Sequence, residues 1–100
     1  MSENGFASRG AGVFGLSGRL TFQTVPGFQG HIGSVLQDGA KALTIDMRDI
    51  SLADSAGLAL MIEWQQRARA AQRELVFANV PEQVRQLIRV NGLTQVFALK

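Results

Sequence analysis

The sequence predicts an α/β domain organised around a small, mostly parallel sheet, and three observations carry that expectation. Segments with strand character alternate with segments of helical period in the order β(β)-α-β-α-β-α-β. The run Ala42-Leu43-Thr44-Ile45-Asp46-Met47 is short, β-compatible and largely apolar, as a strand covered by neighbours inside a sheet has to be. The segment over residues 56–72 repeats its apolar side chains at helical spacing and carries the strongest helix signal in the chain. Strands separated by helices pair in parallel through right-handed crossovers.

Taken in order, residues 1–11 read as a flexible lead-in and residues 12–100 as one domain. Over residues 12–22, Val13, Phe14, Leu16, Leu20 and Phe22 are interrupted by Gly15, Ser17, Gly18 and Arg19, which suits a strand or a hairpin turning near Gly18. Thr24 and Pro26 supply a cap and an early helical position. Phe28, Ile32, Val35 and Leu36 then follow an i, i+4, i+7, i+8 pattern, weakened by Gly27, Gly30 and Gly33. In the central helix Leu58, Leu60, Met61, Ile62, Trp64, Ala68 and Ala71 share a broad face, with Glu63, Gln66, Arg67 and Arg69 opposite. Residues 74–78 form another strand candidate, and Pro81 opens a last helix striped by Val84, Leu87 and Ile88. Asn91-Gly92 stops that helix, with Leu93 placed to pack back as in a Schellman cap, and residues 96–99 read as an edge strand.

Composition narrows the functions available. One hundred residues, 46% of them hydrophobic, make one core, too small to join a nucleotide-binding domain to a substrate domain. Ten basic and eight acidic residues leave a charge of only +2, which gives no argument for nucleic acid. The absence of cysteine removes disulfides and thiolate zinc sites. The first residues lack a basic start and apolar stretch, and no apolar run approaches the roughly 20 residues that span a bilayer. A cytoplasmic location is expected, with any membrane contact indirect, through a complex.

Several motifs fail on context. Gly10-Ala11-Gly12-Val13-Phe14-Gly15 spells the dinucleotide fingerprint G-x-G-x-x-G, yet a strand-like run follows it where a helix is required. No phosphate-binding loop occurs, so no cofactor is expected. His31 is the only histidine, which excludes two-histidine metal motifs. Ser55, Asp54 and His31 do not stand in a nucleophile elbow, so no catalysis is expected. Arg67, Arg69, Arg73, Arg85 and Arg89 read as a solvated helix face or the rim of a protein interface, because no aromatic residues interleave with them.

The informative feature is the turn Asp54-Ser55-Ala56-Gly57-Leu58. Either Asp54 or Ser55 suits an N-cap, worth about 1 kcal/mol, and the glycine permits close packing of the first helical turn. A serine there stands at the carboxyl end of a strand, where open α/β sheets present binding surfaces. A phosphate on it would add a charge of about −1.5 to −2 near a helix N-terminus.

Residues 43–47, the turn with Ala59 and Leu60, then Leu75-Val76-Phe77, Val84-Arg85-Gln86-Leu87 and Asn91-Gly92-Leu93, together resemble a STAS domain over residues 12–99. The resemblance implies a small, mostly parallel sheet with helices packed on one face. It implies that Asp54, Ser55, Ala56, Gly57 and Leu58 meet a protein partner, the turn and Leu58 supplying apolar area and the hydroxyl and amides supplying register. Two branches differ in mechanism. Resemblance to the STAS subunit of the Mla phospholipid ABC transporter implies a non-catalytic subunit docked on the transporter ATPase. Resemblance to anti-sigma-factor antagonists implies that a partner serine kinase phosphorylates Ser55. Gly18-Arg19-Leu20-Thr21 stands where the antagonist branch commonly carries G-E-L-D, so both carboxylates are missing and the expectation leans to the transporter branch.

Overall fold

A computed structural model describes residues 4–100. Its strands are β1 (Gly5–Gly10), β2 (Val13–Leu20), β3 (Ala42–Ala53) and β4 (Glu74–Ala78), in the spatial order β1-β2-β3-β4. The first pair is antiparallel and the other two are parallel. Helices α1 (Val25–Phe28) and α2 (His31–Gln37) link β2 to β3, α3 (Ser55–Ala70) links β3 to β4, and α4 (Glu82–Val90) follows. The small, mostly parallel sheet and the alternation of strands and helices are as the sequence predicts.

The period-2 alternation of the strands sorts the two faces of the sheet. Phe14, Leu16 and Leu20 of β2, Leu43, Ile45 and Met47 of β3 and Leu75 and Phe77 of β4 are all buried. They pack with Phe28, Ile32 and Val35 from α1 and α2, Leu58, Met61 and Trp64 from α3, and Val84 and Ile88 from α4 in one apolar cluster. The opposite face keeps Val13, Ser17, Thr44 and Val76 half-buried.

The start of the domain corrects two expectations. Residues 5–10 are not a lead-in but an antiparallel edge strand, with Phe6 paired to Leu16 and stacked on Phe14 at 5.6 Å between ring centroids. Residues 1–3 of that expected lead-in lie outside the described residues. The hairpin turns not at Gly18, which lies inside β2, but at Gly10-Ala11-Gly12, all three with positive φ (84°, 56° and 79°). That is the structural use of the apparent dinucleotide motif. Its last glycine, Gly15, has a different role: a Cβ there would stand 2.3 Å from the Arg9 guanidinium, which crosses β2 at this point to reach Asp46 on β3.

Other boundaries moved for local reasons. The helix expected after Thr24 is broken at Gln29-Gly30 into α1 and α2, although its stripe Phe28, Ile32 and Val35 is buried as expected and Leu36 packs at its margin. Strand β3 runs six residues beyond Met47, through two register shifts against β2. Asp46, the costly residue in that strand, is 4% exposed and accepts hydrogen bonds from the Arg9 and Arg48 side chains, the Arg48 amide (3.0 Å) and Asn79 Nδ2 (3.1 Å). Burial works against its charge, but the Arg48 amide, the Asn79 side chain and the Arg48 guanidinium outweigh burial and hold its pKa below the ordinary value.

Gly92 (φ 70°) forms the expected Schellman stop, with Leu93 N–H donating to Ile88 O (3.0 Å) and Gly92 N–H to Arg89 O (3.0 Å). The edge strand expected at residues 96–99 is reduced to one bridge, Phe77 to Leu99. Of the arginines read as a solvated face, Arg67, Arg69 and Arg89 are exposed, whereas Arg73 and Arg85 are half-buried. Arg73 donates to the carbonyls of Leu36 (2.6 Å), Asp38 (2.7 Å) and Ala40 (2.6 Å), closing the chain behind α2. Arg69 holds Val96 O (3.1 Å) and Arg85 holds Val80 O (3.1 Å), while Arg67 and Arg89 pair with Glu63 and Glu82.

Candidate functional site

Three constraints build the β3–α3 junction. Asp54 N–H donates to Leu20 O (3.0 Å), which ties the end of β3 to the end of β2. Past Asp46 the β3 strand has no β4 partner, and Gln83 of α4 takes the place of a neighbouring strand: Ala53 N–H donates to its Oε1 (2.9 Å) and its Nε2 donates to Ala53 O (2.8 Å). Gly57 then lets the first turn of α3 approach β2, since a Cβ there would lie 2.2 Å from Leu20 O and 2.8 Å from Leu20 Cβ.

The cap is Asp54, which settles the choice between Asp54 and Ser55. Its Oδ1 accepts from Ala56 N–H (2.9 Å) and Gly57 N–H (3.2 Å), two of the helix donors with no intrahelical partner. Its Oδ2 accepts from Phe22 N–H (3.1 Å). Desolvation raises the Asp54 pKa, but the amides of Phe22, Gly57 and Ala56 lower it by more, so the carboxyl titrates below its ordinary value. The carboxylate is therefore committed to main-chain donors on both oxygens.

Ser55 is the first residue of α3 and is exposed, and among the described residues its hydroxyl joins no hydrogen bond. Ala56 is half-buried. Gly57 and Leu58 are buried, Leu58 at 4% exposure, so Leu58 belongs to the core and does not supply the apolar contact area expected of it. The exposed large apolar side chains beside the junction are Phe22, 74% exposed and placed by the hydrogen bond from its amide to Asp54, and Leu52 on β3. Phe22 is the last apolar position of the strand-like run in the sequence, but β2 ends at Leu20. The signal available in the sequence was an aromatic isolated between Thr21 and Gln23 just ahead of Pro26. Gln83, thirty residues from the backbone it clamps, carries no such signal.

Arg19 and Thr21, which replace the two expected carboxylates, have distinct settings. Arg19 is exposed opposite Leu52, while Thr21 N–H donates to Thr24 Oγ1 (2.9 Å) in the turn that enters α1. His31 stacks on Phe6 at 4.2 Å between ring centroids, and no hydrogen bond joins it to Ser55 among the described residues, so the triad raised by the sequence is not assembled. Among the described residues no three His, Asp or Glu side chains gather as a metal site, and no helix is long and apolar enough to cross a membrane.

A cap carboxylate satisfied by main-chain amides beside an exposed, unbonded serine is an arrangement found here at the end of a mostly parallel sheet. The family model described as "Mlab, STAS domain" matches residues 6–99. The chain is similar to the anti-sigma-B factor antagonist of Staphylococcus aureus, with 26% identity over 78 residues that cover 78% of this chain and 72% of that protein. Its fold is similar to that of an anti-sigma factor antagonist from Mycobacterium paratuberculosis, with a TM-score of 0.78, 23% identity and coverage of 99% and 85% of the two chains. It is also similar in fold to the Bacillus cell fate determinant SpoIIAA in its phosphorylated form, with a TM-score of 0.69, 15% identity and coverage of 98% and 91%. Matched along nearly its whole length, the chain belongs to the STAS domain family.

Proposed function

We propose that this STAS domain is an anti-sigma-factor antagonist that binds its partner through the β3–α3 junction and is switched by phosphorylation of Ser55. The observation that carries the reading is the division of labour at that junction. Asp54 satisfies the amides of α3, so the exposed Ser55 hydroxyl has no structural task and can be modified without unmaking the cap. The relative from Staphylococcus aureus supports the antagonist branch by its name. The ABC-transporter ATPase, favoured as partner on the missing carboxylates, has no such support, and the antagonist reading replaces it. The role is one of binding without turnover.

The test is incubation of the purified domain with ATP and, one at a time, the purified anti-sigma factors of its source genome. Phosphate located on Ser55 by mass spectrometry, its absence from Ser55→Ala and loss of binding by Ser55→Asp are the expected results. Unphosphorylated Ser55 with every such kinase, together with unchanged binding by Ser55→Asp, overturns the switch.

A further inference from the structure

We propose that the partner meets this domain with an apolar pocket rimmed by a carboxylate, Phe22 entering the pocket and Arg19 facing the acid. The proposal rests on the antagonist reading and deepens it by assigning the chemistry of the partner's surface.

Phe22, Leu52 and Val90 are the exposed large hydrophobic residues among those described. The first two flank the Ser55 junction. Phe22 is tied to Asp54 through its amide, and Leu52 precedes Ala53, whose backbone is held by Gln83. A ring that is 74% exposed on an anchored main chain is pre-organised: it offers a large apolar contact and has few torsions to immobilise on binding. Val90 stands at the far end of α4, about 10 Å along the helix axis from Gln83.

Arg19 supplies the charge. It pairs in register with Leu52, it is exposed, and among the described residues no carboxylate or carbonyl takes up its guanidinium. Every other arginine is engaged: Arg9 and Arg48 by Asp46, Arg67 by Glu63, Arg89 by Glu82, and Arg69, Arg73 and Arg85 by main-chain carbonyls. The nearest carboxylate in sequence to Ser55 is Asp54, whose oxygens already accept three amides. The uncommitted charge beside the junction is therefore positive, and the complementary partner group is an acid. A phosphate on Ser55 would then act in one direction, repelling the partner's carboxylate.

The test uses the purified anti-sigma factors of the source genome, immobilised for surface plasmon resonance against the intact domain. Phe22→Ser is expected to weaken binding about thirtyfold, chiefly through faster dissociation. Arg19→Glu is expected to slow association about tenfold at low salt, with the difference shrinking at about 0.5 M salt. Val90→Ser is expected to bind as the parent does, and all three variants to melt within about 2 °C of it, since each side chain is exposed. Parent-like binding by both Phe22→Ser and Arg19→Glu overturns the proposed surface and leaves the antagonist reading standing. An equal loss with Val90→Ser overturns the location. If no anti-sigma factor binds the unaltered domain, the antagonist reading falls and this proposal with it.

Discussion

Asp54→Asn separates the two tasks of one carboxylate. Asparagine caps a helix as well as aspartate does, so its amide oxygen can keep the Ala56 and Gly57 N–H groups that Oδ1 now holds. The second oxygen becomes an NH₂ group, and Phe22 N–H faces a donor where it had an acceptor. A hydrogen bond to a charged group is worth about 1.5–3 kcal/mol, but this one is open to solvent and water can replace it, so the expected loss is about 1 kcal/mol. Asp54→Ala removes the cap as well and loses about 2 kcal/mol in total. In a domain of this size the asparagine variant should melt about 5 °C lower and the alanine variant about 10 °C lower. Hydrogen exchange at neutral pH should show the Phe22 amide opening faster in Asp54→Asn, while Ala56 and Gly57 keep their protection. The same carboxylate sets a pH dependence. Its folded pKa is depressed, so its contribution is complete above the unfolded value of about 3.9 and is lost as pH falls through the folded value. The gap between parent and Asp54→Asn should therefore close in acid. An asparagine variant as unstable as the alanine variant, or a Phe22 amide exchanging at the parent rate, would refute this account.

Three further substitutions probe the scaffold around the junction. Gly57→Ala should lower stability by about 2 kcal/mol despite alanine's better helix propensity, because its Cβ would stand 2.2 Å from Leu20 O; calorimetry showing an equal or higher melting temperature would contradict the close approach. Gly15→Ala should displace Arg9 from Asp46 and cost about 1 kcal/mol, and in a double-mutant cycle adding Arg9→Ala should cost little more; full additivity would show that the two do not share a contact. Arg73→Met leaves the carbonyls of Leu36, Asp38 and Ala40 without their donor and should cost about 2–3 kcal/mol by urea denaturation, with faster exchange confined at first to residues 36–41.

What could be read in the sequence follows from what is local. The buried face of β3 at Leu43, Ile45 and Met47, the bounds of β4 and the stop at Gly92 each depend on residues within one turn or one strand. The cap question could be narrowed to Asp54 or Ser55 for the same reason. The failures share the opposite cause. Leu58 looked like a contact residue because it neighbours the turn, and burial at 4% depends on how close α3 comes to β2 through Gly57. Phe22 continues the alternating pattern of a strand, and its exposure depends on where β2 stops pairing with β3, at Leu20 and Ala53. Arg73 reads from the sequence as part of the same solvated face as its neighbours, and the carbonyls that half-bury it lie up to thirty-seven residues away.

The amino-acid sequence by itself determined the alternating α/β order, the family resemblance and the position of the Asp54-Ser55 turn, because periodicity, caps and turn residues act over a few neighbouring positions. Only the tertiary structure decided which groups at that turn are spent and which are free. Three amides gather on Asp54 from segments more than thirty residues apart, Gln83 closes β3 where its partner strand has ended, and Ser55, Phe22 and Arg19 are left facing outward. Satisfaction and burial are properties of what converges in space, and no single segment of the chain encodes them.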